Sequence, residues 1–299
     1  MIVVAGESLI DLVPDGAAAT PPSPLAPLVP RPGGGPYNTA VALGRLGADV
    51  AFCSRVSTDA FGEALMDGLR TAGVSDALVQ RGPEPTTLAV ATLGADGSAR
   101  YGFYVEGTAD RLFALPDRLP EGVRAVAFGT CSLALEPGAS AYEALLRRES
   151  RRGALTLLDP NIRPGLIPDR AAYRERFAGW LPYVRLLKLS EEDASWLGGT
   201  PAEWLARGPS AVVLTRGGEG MTVFTPSFEV SVPAVRTGVV DTIGAGDTVN
   251  AALLHGLAGR QVASLDAVGW SGLLAYAARA AALTCTRAGA EPPYAYELG

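Results

Sequence analysis

Asp241-Thr242-Ile243-Gly244-Ala245-Gly246-Asp247 is the stretch of sequence that decides the fold. Its small residues at 244 to 246 let successive backbone N–H groups converge on one point, as in an anion-binding loop. Apolar residues then recur at helical spacing, at Val249, Leu253 and Leu257. The predicted helix adds the positive end of its dipole, so the loop suits a phosphate. Asp247 in the first turn is placed to accept a proton from an attacking hydroxyl, which indicates phosphoryl-transfer chemistry.

A second motif changes how the first is interpreted. Taken alone, Gly-Ala-Gly-Asp is more often a capped helix start than a kinase site. The chain also contains Gly33-Gly34-Gly35-Pro36-Tyr37-Asn38-Thr39-Ala40, with Gly47 further along. Two long motifs in this order resemble the signatures of the ribokinase-like (PfkB) carbohydrate kinases, and the resemblance runs from about Val4 to Ala290. The first signature normally ends in Gly where this chain has Ser57, a change that removes no chemical group.

The resemblance implies roles for individual residues. Asp247 matches the catalytic base, and the backbone N–H groups of Gly244, Ala245 and Gly246 match the anion hole. The positions that match sugar-binding residues are Asp11, Gly33, Gly34, Asn38, Phe103, Arg163 and Asp247.

Three of these residues also have an ordinary structural explanation. Considered without the family, Asp11 is equally well a turn residue before a proline, and Asn38 is a good helix N-cap. Arg163 ends Asp159-Pro160-Asn161-Ile162-Arg163, which resembles the Asp-x-Asn-x-Arg segment of the family but also reads as a proline-rich turn. In the functional interpretation, Arg163 places a positive charge near phosphate or sugar.

The same resemblance implies a nucleotide site and two metal sites. The cofactor-binding positions are Ser190, Thr215, Gly217, Gly220, Gly244 and Gly246. Ser190 and Asp193 stand where the family has Asn-x-x-Glu, which positions Mg²⁺ through water, and a capped acidic helix start explains them equally well. Asp241 and Thr242 match a monovalent-cation site. The implied cofactors are therefore ATP and Mg²⁺, with K⁺ at the second metal site.

Composition narrows the classes of partner. The chain has 299 residues, 48% of them hydrophobic, and a net charge of −6, which disfavours nucleic acid and anionic membranes as partners. The N-terminal residues include Glu7 and Asp11 and no basic leader, and no apolar run approaches membrane-spanning length. Three scattered cysteines suit reduced core thiols. The sequence therefore predicts a cytoplasmic globular protein.

Two scarce residue types exclude other chemistries. His255 is the only histidine, so histidine-based zinc sites and Ser-His-Asp triads are poorly supported, and a structural role is expected for it. Lys188 is the only lysine, and the chain has no Gly-x-x-x-x-Gly-Lys-Ser/Thr loop, which excludes the P-loop solution to phosphate binding.

Short apolar runs alternate with helical patterns along most of the chain. This βαβ repetition predicts an α/β fold, with a mainly parallel sheet flanked by helices on both faces. The expected strands and helices are 2–6, 38–46, 50–54, 61–71, 123–128, 142–151, 155–158, 171–180, 184–189 and 211–215, with a hairpin at 221–232. Ligands of such sheets collect at the carboxyl ends of the strands.

Two segments interrupt the alternation. Seven prolines lie between Pro14 and Pro32, which by itself suggests a polyproline-like loop. Alternating runs between Thr86 and Glu106 flank Ala95-Asp96-Gly97, a strong hairpin signal. The resemblance implies that about 10–32 and 86–107 form a small β-sheet lid on a single domain, 1–299. It also implies that this lid covers the sugar and pairs two subunits into a homodimer.

The substrate prediction is a neutral sugar. Among the family, the runs 6–14, 159–164, 188–192 and 104–110 are most similar to bacterial fructokinases, which implies transfer of the γ-phosphoryl group of ATP to the 6-hydroxyl of D-fructose. The competing 2-keto-3-deoxygluconate kinases usually carry Arg where this chain has Val105, and a buried substrate carboxylate needs such a donor. Ribokinase, nucleoside kinase and a catalytically silent sugar- or nucleotide-binding relative are the remaining alternatives.

Overall fold

A computed structural model of the protein describes residues 1–15, 27–93 and 99–299. Its strands are β1 (Ile2–Ala5), β2 (Leu9–Pro14), β3 (Leu28–Gly33), β4 (Val50–Ser57), β5 (Ser75–Gly82), β6 (Leu88–Leu93), β7 (Ala99–Tyr104), β8 (Ala125–Gly129), β9 (Leu155–Asp159), β10 (Leu186–Ser190), β11 (Ala211–Thr215), β12 (Met221–Phe224) and β13 (Glu229–Val232). Its α-helices are α1 (Gly35–Arg45), α2 (Ala60–Thr71), α3 (Gly138–Arg151), α4 (Arg170–Trp180), α5 (Glu191–Leu197), α6 (Pro201–Leu205), α7 (Ala245–Leu257) and α8 (Ala267–Cys285).

The large sheet has the order β13-β12-β11-β10-β9-β8-β1-β4-β5, and its pairs are parallel from β5 to β11. Strands β12 and β13 continue it antiparallel, as the predicted hairpin requires. The chain leaves β1 toward β4 on one side and later returns at β8 on the other. Strand order therefore reverses at β1, which is where an open α/β sheet leaves a ligand crevice.

Both faces of the large sheet are covered. Along β1, Ile2 and Val4 point into one apolar core and Val3 and Ala5 into the other, because side chains alternate along a strand. The first core holds α1, α2, α7 and α8 against the sheet, and the second holds α3 to α6. In α7, Leu253, Leu254 and Leu257 are fully buried, and each contributes about 1.5–3 kcal/mol of apolar burial. This packing fixes where the N-terminal end of α7 lies.

The predicted α/β alternation is confirmed, but β5, α8 and the five-residue helix α6 were not predicted. Strand β5 is rich in polar residues and lies at the sheet edge, so it shows no apolar run. Helix α8 is alanine-rich with apolar residues on most faces, which leaves a weak helical stripe in the sequence. His255 lies in the last turn of α7 with its Nδ1 beside the hydroxyl of Tyr276 of α8, as expected for a structural residue.

A second, four-stranded sheet has the order β3-β2-β6-β7. Strands β6 and β7 pair antiparallel, as the hairpin signal predicted, while the turn at 95–97 lies outside the described residues. The polyproline-like interpretation is wrong for Leu28–Gly33, which pairs antiparallel with β2. That strand is at the sheet edge, where Pro30 and Pro32 cost few ladder hydrogen bonds. The remainder of the proline-rich segment, 16–26, also lies outside the described residues.

All three cysteines are unpaired, Cys53 and Cys131 in the core and Cys285 half-buried. Across the described ranges, no helix is long and apolar enough to cross a bilayer.

Candidate active site

The crevice at the strand-order reversal contains a narrow cavity. Its polar lining comes from four parts of the chain: Thr39 of α1, Thr130 after β8, Asp159 at the end of β9, and Asp247 and Asn250 of α7. The carboxyl ends of β1, β8 and β9 and the N-terminal ends of α1 and α7 therefore meet at one place.

Asp247 is the central acid of this cavity. It lies in the first turn of α7, is only 8% exposed, and its Oδ2 accepts a hydrogen bond from Asn38 Nδ2 at 2.9 Å. Burial raises the pKa of Asp247 from 3.8 to about 6, and the hydrogen bond from Asn38 opposes part of that rise. Asp247 thus combines a high proton affinity with a fixed direction, the properties required of a general base.

The loop before α7 is held in the conformation of an anion-binding turn. Gly244 has φ +77°, and a Cβ there would lie 2.6 Å from Ala290 Cβ, so only glycine fits. Asp241 anchors the loop, because its Oδ1 accepts from Ile243 N at 3.0 Å and its Oδ2 from Gly289 N at 2.8 Å. The N–H groups at the start of an α-helix have no partner within the helix itself, although Ala245 N donates to Thr242 O of the preceding loop at 3.3 Å. They are therefore suited to bind an anion beside Asp247.

Asp11 and its neighbours form the side of the crevice toward the small sheet. Asp11 lies within β2, so the alternative of a turn residue is wrong. The N-cap alternative for Asn38 is also wrong, because Gly34 is the N-cap of α1. A Cβ at Gly33 would lie 2.1 Å from Asp11 Oδ2, so glycine is required for this close approach. Burial raises the pKa of Asp11 to about 6, and Arg163 opposes this rise.

Arg163 supplies positive charge to the same crevice. It lowers the pKa of both Asp11 and Asp247, and its Nη1 donates to Asn161 Oδ1 at 2.8 Å. Asn161 has φ +37° and Thr130 has φ +58°, and the two side chains share a hydrogen bond. Strained backbone of this kind clusters at functional sites. The role of Arg163 in binding phosphate or sugar stays a prediction.

Phe103 lies on β7 of the small sheet and stacks against Tyr101. Burial raises the pKa of Tyr101, and the charges of Asp11, Asp241 and Arg163 also act on it, so the ring of Tyr101 lies near the crevice. Val105, just beyond β7, is 9% exposed, and its carbonyl accepts from Arg111 Nη1 at 3.1 Å and from Thr108.

The residues predicted to bind nucleotide lie at the carboxyl ends of the next two strands. Ser190 ends β10 and pairs in register with Thr215, which ends β11. Gly217 and Gly220 flank a short 3-10 turn between β11 and β12. Gly220 has φ +97°, and a Cβ there would lie 2.1 Å from Val232 O. These groups therefore lie at the same end of the strands as Asp159, which ends β9.

Asp193 is engaged in a helix cap. Its Oδ2 accepts from Ser190 N and Oγ, its Oδ1 accepts from Ile162 N at 2.7 Å, and Ser190 caps α5 in return. The capped helix start that the sequence left open is therefore present. Within the described ranges, no group of three or more His, Cys, Asp or Glu side chains could hold a metal ion. The Mg²⁺ role of Asp193 stays a prediction.

Two polar residues beneath Asp247, Lys188 and Asn250, were missed by the sequence predictions, whereas Asp159 begins the segment that resembles the Asp-x-Asn-x-Arg motif of the family. Lys188 Nζ donates to Asp159 Oδ2 at 2.8 Å, and Asn250 Nδ2 donates to the same oxygen at 2.7 Å. All three residues are buried. The only available signal was that Lys188, the single lysine of the chain, lies in an otherwise apolar strand.

The whole chain is similar to known proteins. Residues 1–295 match the family described as pfkB family carbohydrate kinase. The chain belongs to this family. A fructokinase of Rhizobium leguminosarum bv. trifolii is 40% identical over 281 residues, which cover 89% of this chain and 84% of the relative. The family and its fold, predicted from the two motifs, are therefore confirmed.

Solved structures agree with the assignment. A fructokinase with bound ATP from Xylella fastidiosa superimposes with a TM-score of 0.88 and 28% identity, covering 99% of this chain and 96% of that one. A double mutant of the Vibrio cholerae O395 fructokinase, in its fructose, ADP and potassium ion bound form, superimposes with a TM-score of 0.82 and 25% identity. The match covers 97% of this chain and 93% of that one. The chain is an ATP-dependent sugar kinase, and its family uses ATP together with a metal ion.

Proposed function

We propose that the protein transfers the γ-phosphoryl group of ATP to the 6-hydroxyl of D-fructose. The observation that carries the proposal is Asp247, a buried carboxylate with a raised pKa at the N-terminal end of α7, in a chain whose relatives are fructokinases. Asp11, Gly33, Gly34, Asn38, Phe103 and Arg163 are the proposed sugar-binding residues.

In the proposed reaction, Asp247 accepts the proton of the sugar hydroxyl as that oxygen attacks phosphorus. The backbone N–H groups of Gly244, Ala245 and Gly246, aided by the helix dipole, hold the transferring phosphoryl group. Removal of a positioned base typically costs about 10² to 10⁴ in rate, and removal of one oxyanion donor about 10² to 10³. In this proposal the crevice supplies both a general base and anion-binding donors, and no protein nucleophile is needed.

A neutral sugar is preferred because an apolar residue lies where sugar-acid kinases carry arginine. Val105 is buried, and the nearby Arg111 is already bound to its carbonyl. A carboxylate placed there would lose a charge-assisted hydrogen bond of roughly 1.5–3 kcal/mol, about 10- to 150-fold in kcat/KM. Arg163 also brings positive charge to the crevice, but its Nη1 donates to its own loop.

Direct competition between fructose and 2-keto-3-deoxygluconate for the wild-type enzyme tests this preference. We expect fructose to have the higher kcat/KM by about 10-fold or more. Val105→Arg should move the ratio toward the acid, while Val105→Leu, the matched apolar control, should not. If the sugar acid has the higher kcat/KM in the wild type, fructose is the wrong substrate. If neither sugar stimulates ADP formation, ribose and nucleosides test the remaining kinase alternatives, and only inactivity with all of them supports the silent relative.

Mg²⁺ and K⁺ are the proposed metal ions. Ser190, Thr215, Gly217 and Gly220 would border the nucleotide, and Asp193 would act on Mg²⁺ through water. K⁺ is assigned to the loop of Asp241 and Thr242, which Asp241 ties to the segment around Gly289. The potassium ion named for the Vibrio fructokinase structure supports this assignment.

The proposal extends to assembly and location. The small sheet carries the exposed apolar side chains of Leu28 (39%), Tyr101 (42%) and Tyr104 (66%), which suit a homodimer contact through the lid. Three unpaired cysteines support a reducing compartment, and the cytoplasm is the proposed location.

A further inference from the structure

A buried ion pair lies under the proposed catalytic base. Lys188 of β10 and Asp159 of β9 approach to 2.8 Å, and each side chain is only 5% exposed. A Cβ at Gly246 would lie 3.0 Å from Lys188 Nζ. The ammonium group is therefore directly behind the first turn of α7, the turn that also carries Asp247.

Asn250 connects the pair to that helix. Its Nδ2 donates to Asp159 Oδ2 at 2.7 Å, and it lies one helical turn after Asp247 in α7. Asp159, Asp247 and Asn250 line the same narrow cavity. Among the described residues, Asp159 Oδ1 has no hydrogen-bond partner, so this carboxylate depends on Lys188 as its only cation in direct contact.

A buried ion pair of this kind contributes little to the net stability of the fold. Taking two charges out of water costs about as much as their attraction returns, and apolar replacements of buried pairs are often neutral or stabilising. A buried pair beside a reactive carboxylate does have an electrostatic effect, because interactions between charges are strong where water is excluded. Here the two members have opposite effects on Asp247.

We propose that Lys188 and Asp159 are positioning residues for catalysis, which act through Asn250 and the first turn of α7 and set the charge state of Asp247. The inference rests on the proposed function, because it takes Asp247 as the base. Lys188 favours the ionised carboxylate that can accept a proton, and Asp159 favours the protonated one. The pair also holds the anion-binding turn against the sheet.

The groups that face Asp247 come from four elements. Asp159 of β9 raises its pKa, whereas Asn38 of α1, Lys188 of β10 and Arg163 after β9 lower it, against the larger effect of burial. Asp11 also titrates near pH 6, but its pKa follows burial and Arg163, not the ion pair.

The test compares Lys188→Met, Asp159→Asn and the double variant by the pH dependence of kcat/KM, measured with the sugar that has the higher kcat/KM in the wild type. The acidic limb of this profile, where kcat/KM falls as the pH is lowered, reports protonation of the base. Loss of the lysine cation should move the acidic limb toward higher pH by about 1 pH unit, and loss of the aspartate anion should move it toward lower pH. The double variant should lie between the two single variants. Arg148→Met is the matched control, since it breaks an ion pair with buried Glu149 in α3, and should leave the limb in place.

Opposite shifts of the two single variants establish the proposal, because a purely structural pair would lower the rate without moving the limb in opposite directions. If Lys188→Met does not fold, Asp159→Asn is compared with the charge-neutral double variant, and the proposal requires the acidic limb of Asp159→Asn to lie at lower pH. Limbs that stay unmoved, or that move the same way, overturn the proposal. Those results would leave the kinase assignment intact, since wild-type turnover of fructose is measured independently.

Discussion

Asp247→Asn should separate activity from stability. The substitution keeps the size of the side chain and an oxygen that can accept from Asn38 Nδ2, so the hydrogen bond across α1 and α7 survives. It removes the group that accepts the proton. We expect kcat to fall by about 10² or more while ATP and sugar still bind.

Asp247→Asn should lower kcat but raise the free energy of unfolding. A pKa raised from 3.8 to about 6 means that the ionised form of Asp247 is disfavoured in the folded protein by about 3 kcal/mol. This destabilisation is complete above about pH 6 and disappears as the pH falls below 3.8, where the carboxyl is protonated in both the folded and unfolded states. The neutral asparagine avoids it, so the variant should unfold several degrees higher than the wild type at pH 8.

Steady-state assays of ADP formation and thermal unfolding at pH 8 and pH 4 measure the two effects. The expected pattern is a slow enzyme with a raised Tm at pH 8, whose advantage over the wild type largely vanishes at pH 4. A variant with near-normal kcat would remove Asp247 from the mechanism. A variant that is slow and less stable at pH 8 would show that the carboxylate is held for structural reasons.

Two further outcomes follow from the proposed metal site and the proposed assembly. K⁺ should raise kcat/KM by ordering the loop that Asp241 anchors, and equal rates in K⁺ and in a bulky organic cation at matched ionic strength would contradict this. Light scattering should give a dimer for the wild type and a monomer for Tyr104→Asp. Val268→Asp, on the exposed side of α8, is the surface control and should stay a dimer. If Tyr104→Asp is also a dimer, the contact between subunits lies elsewhere.

The predictable part of the site is encoded in contiguous residues. Gly244, Gly246 and Asp247 lie within one short motif, and their backbone requirements appear directly as small residues before a helix. The parallel sheet is likewise predictable, because its strands are apolar runs with helical patterns between them. The structure confirms both the helix start and the sheet.

The support beneath Asp247 was not predictable because it joins distant parts of the chain. Lys188 lies 29 residues from Asp159, and Asn250 lies 91 residues from it. Neither spacing is a helical or strand period, so the contacts appear only when β9, β10 and α7 are packed together. Thr130 was not predictable for another reason, since threonine, unlike glycine, does not indicate a positive φ in a sequence.

The balance of charge in the crevice explains why the base is buried at all. With a pKa of about 6, Asp247 is roughly 90% ionised at pH 7, yet it binds a proton about 100-fold more tightly than an ordinary aspartate. Burial alone would push the pKa higher and leave less of the reactive carboxylate, whereas Asn38, Lys188 and Arg163 hold it down. General bases are most effective when their pKa lies near the working pH. The donors around Asp247 therefore matter as much as the acid itself, because they keep its carboxylate charged although the side chain is buried.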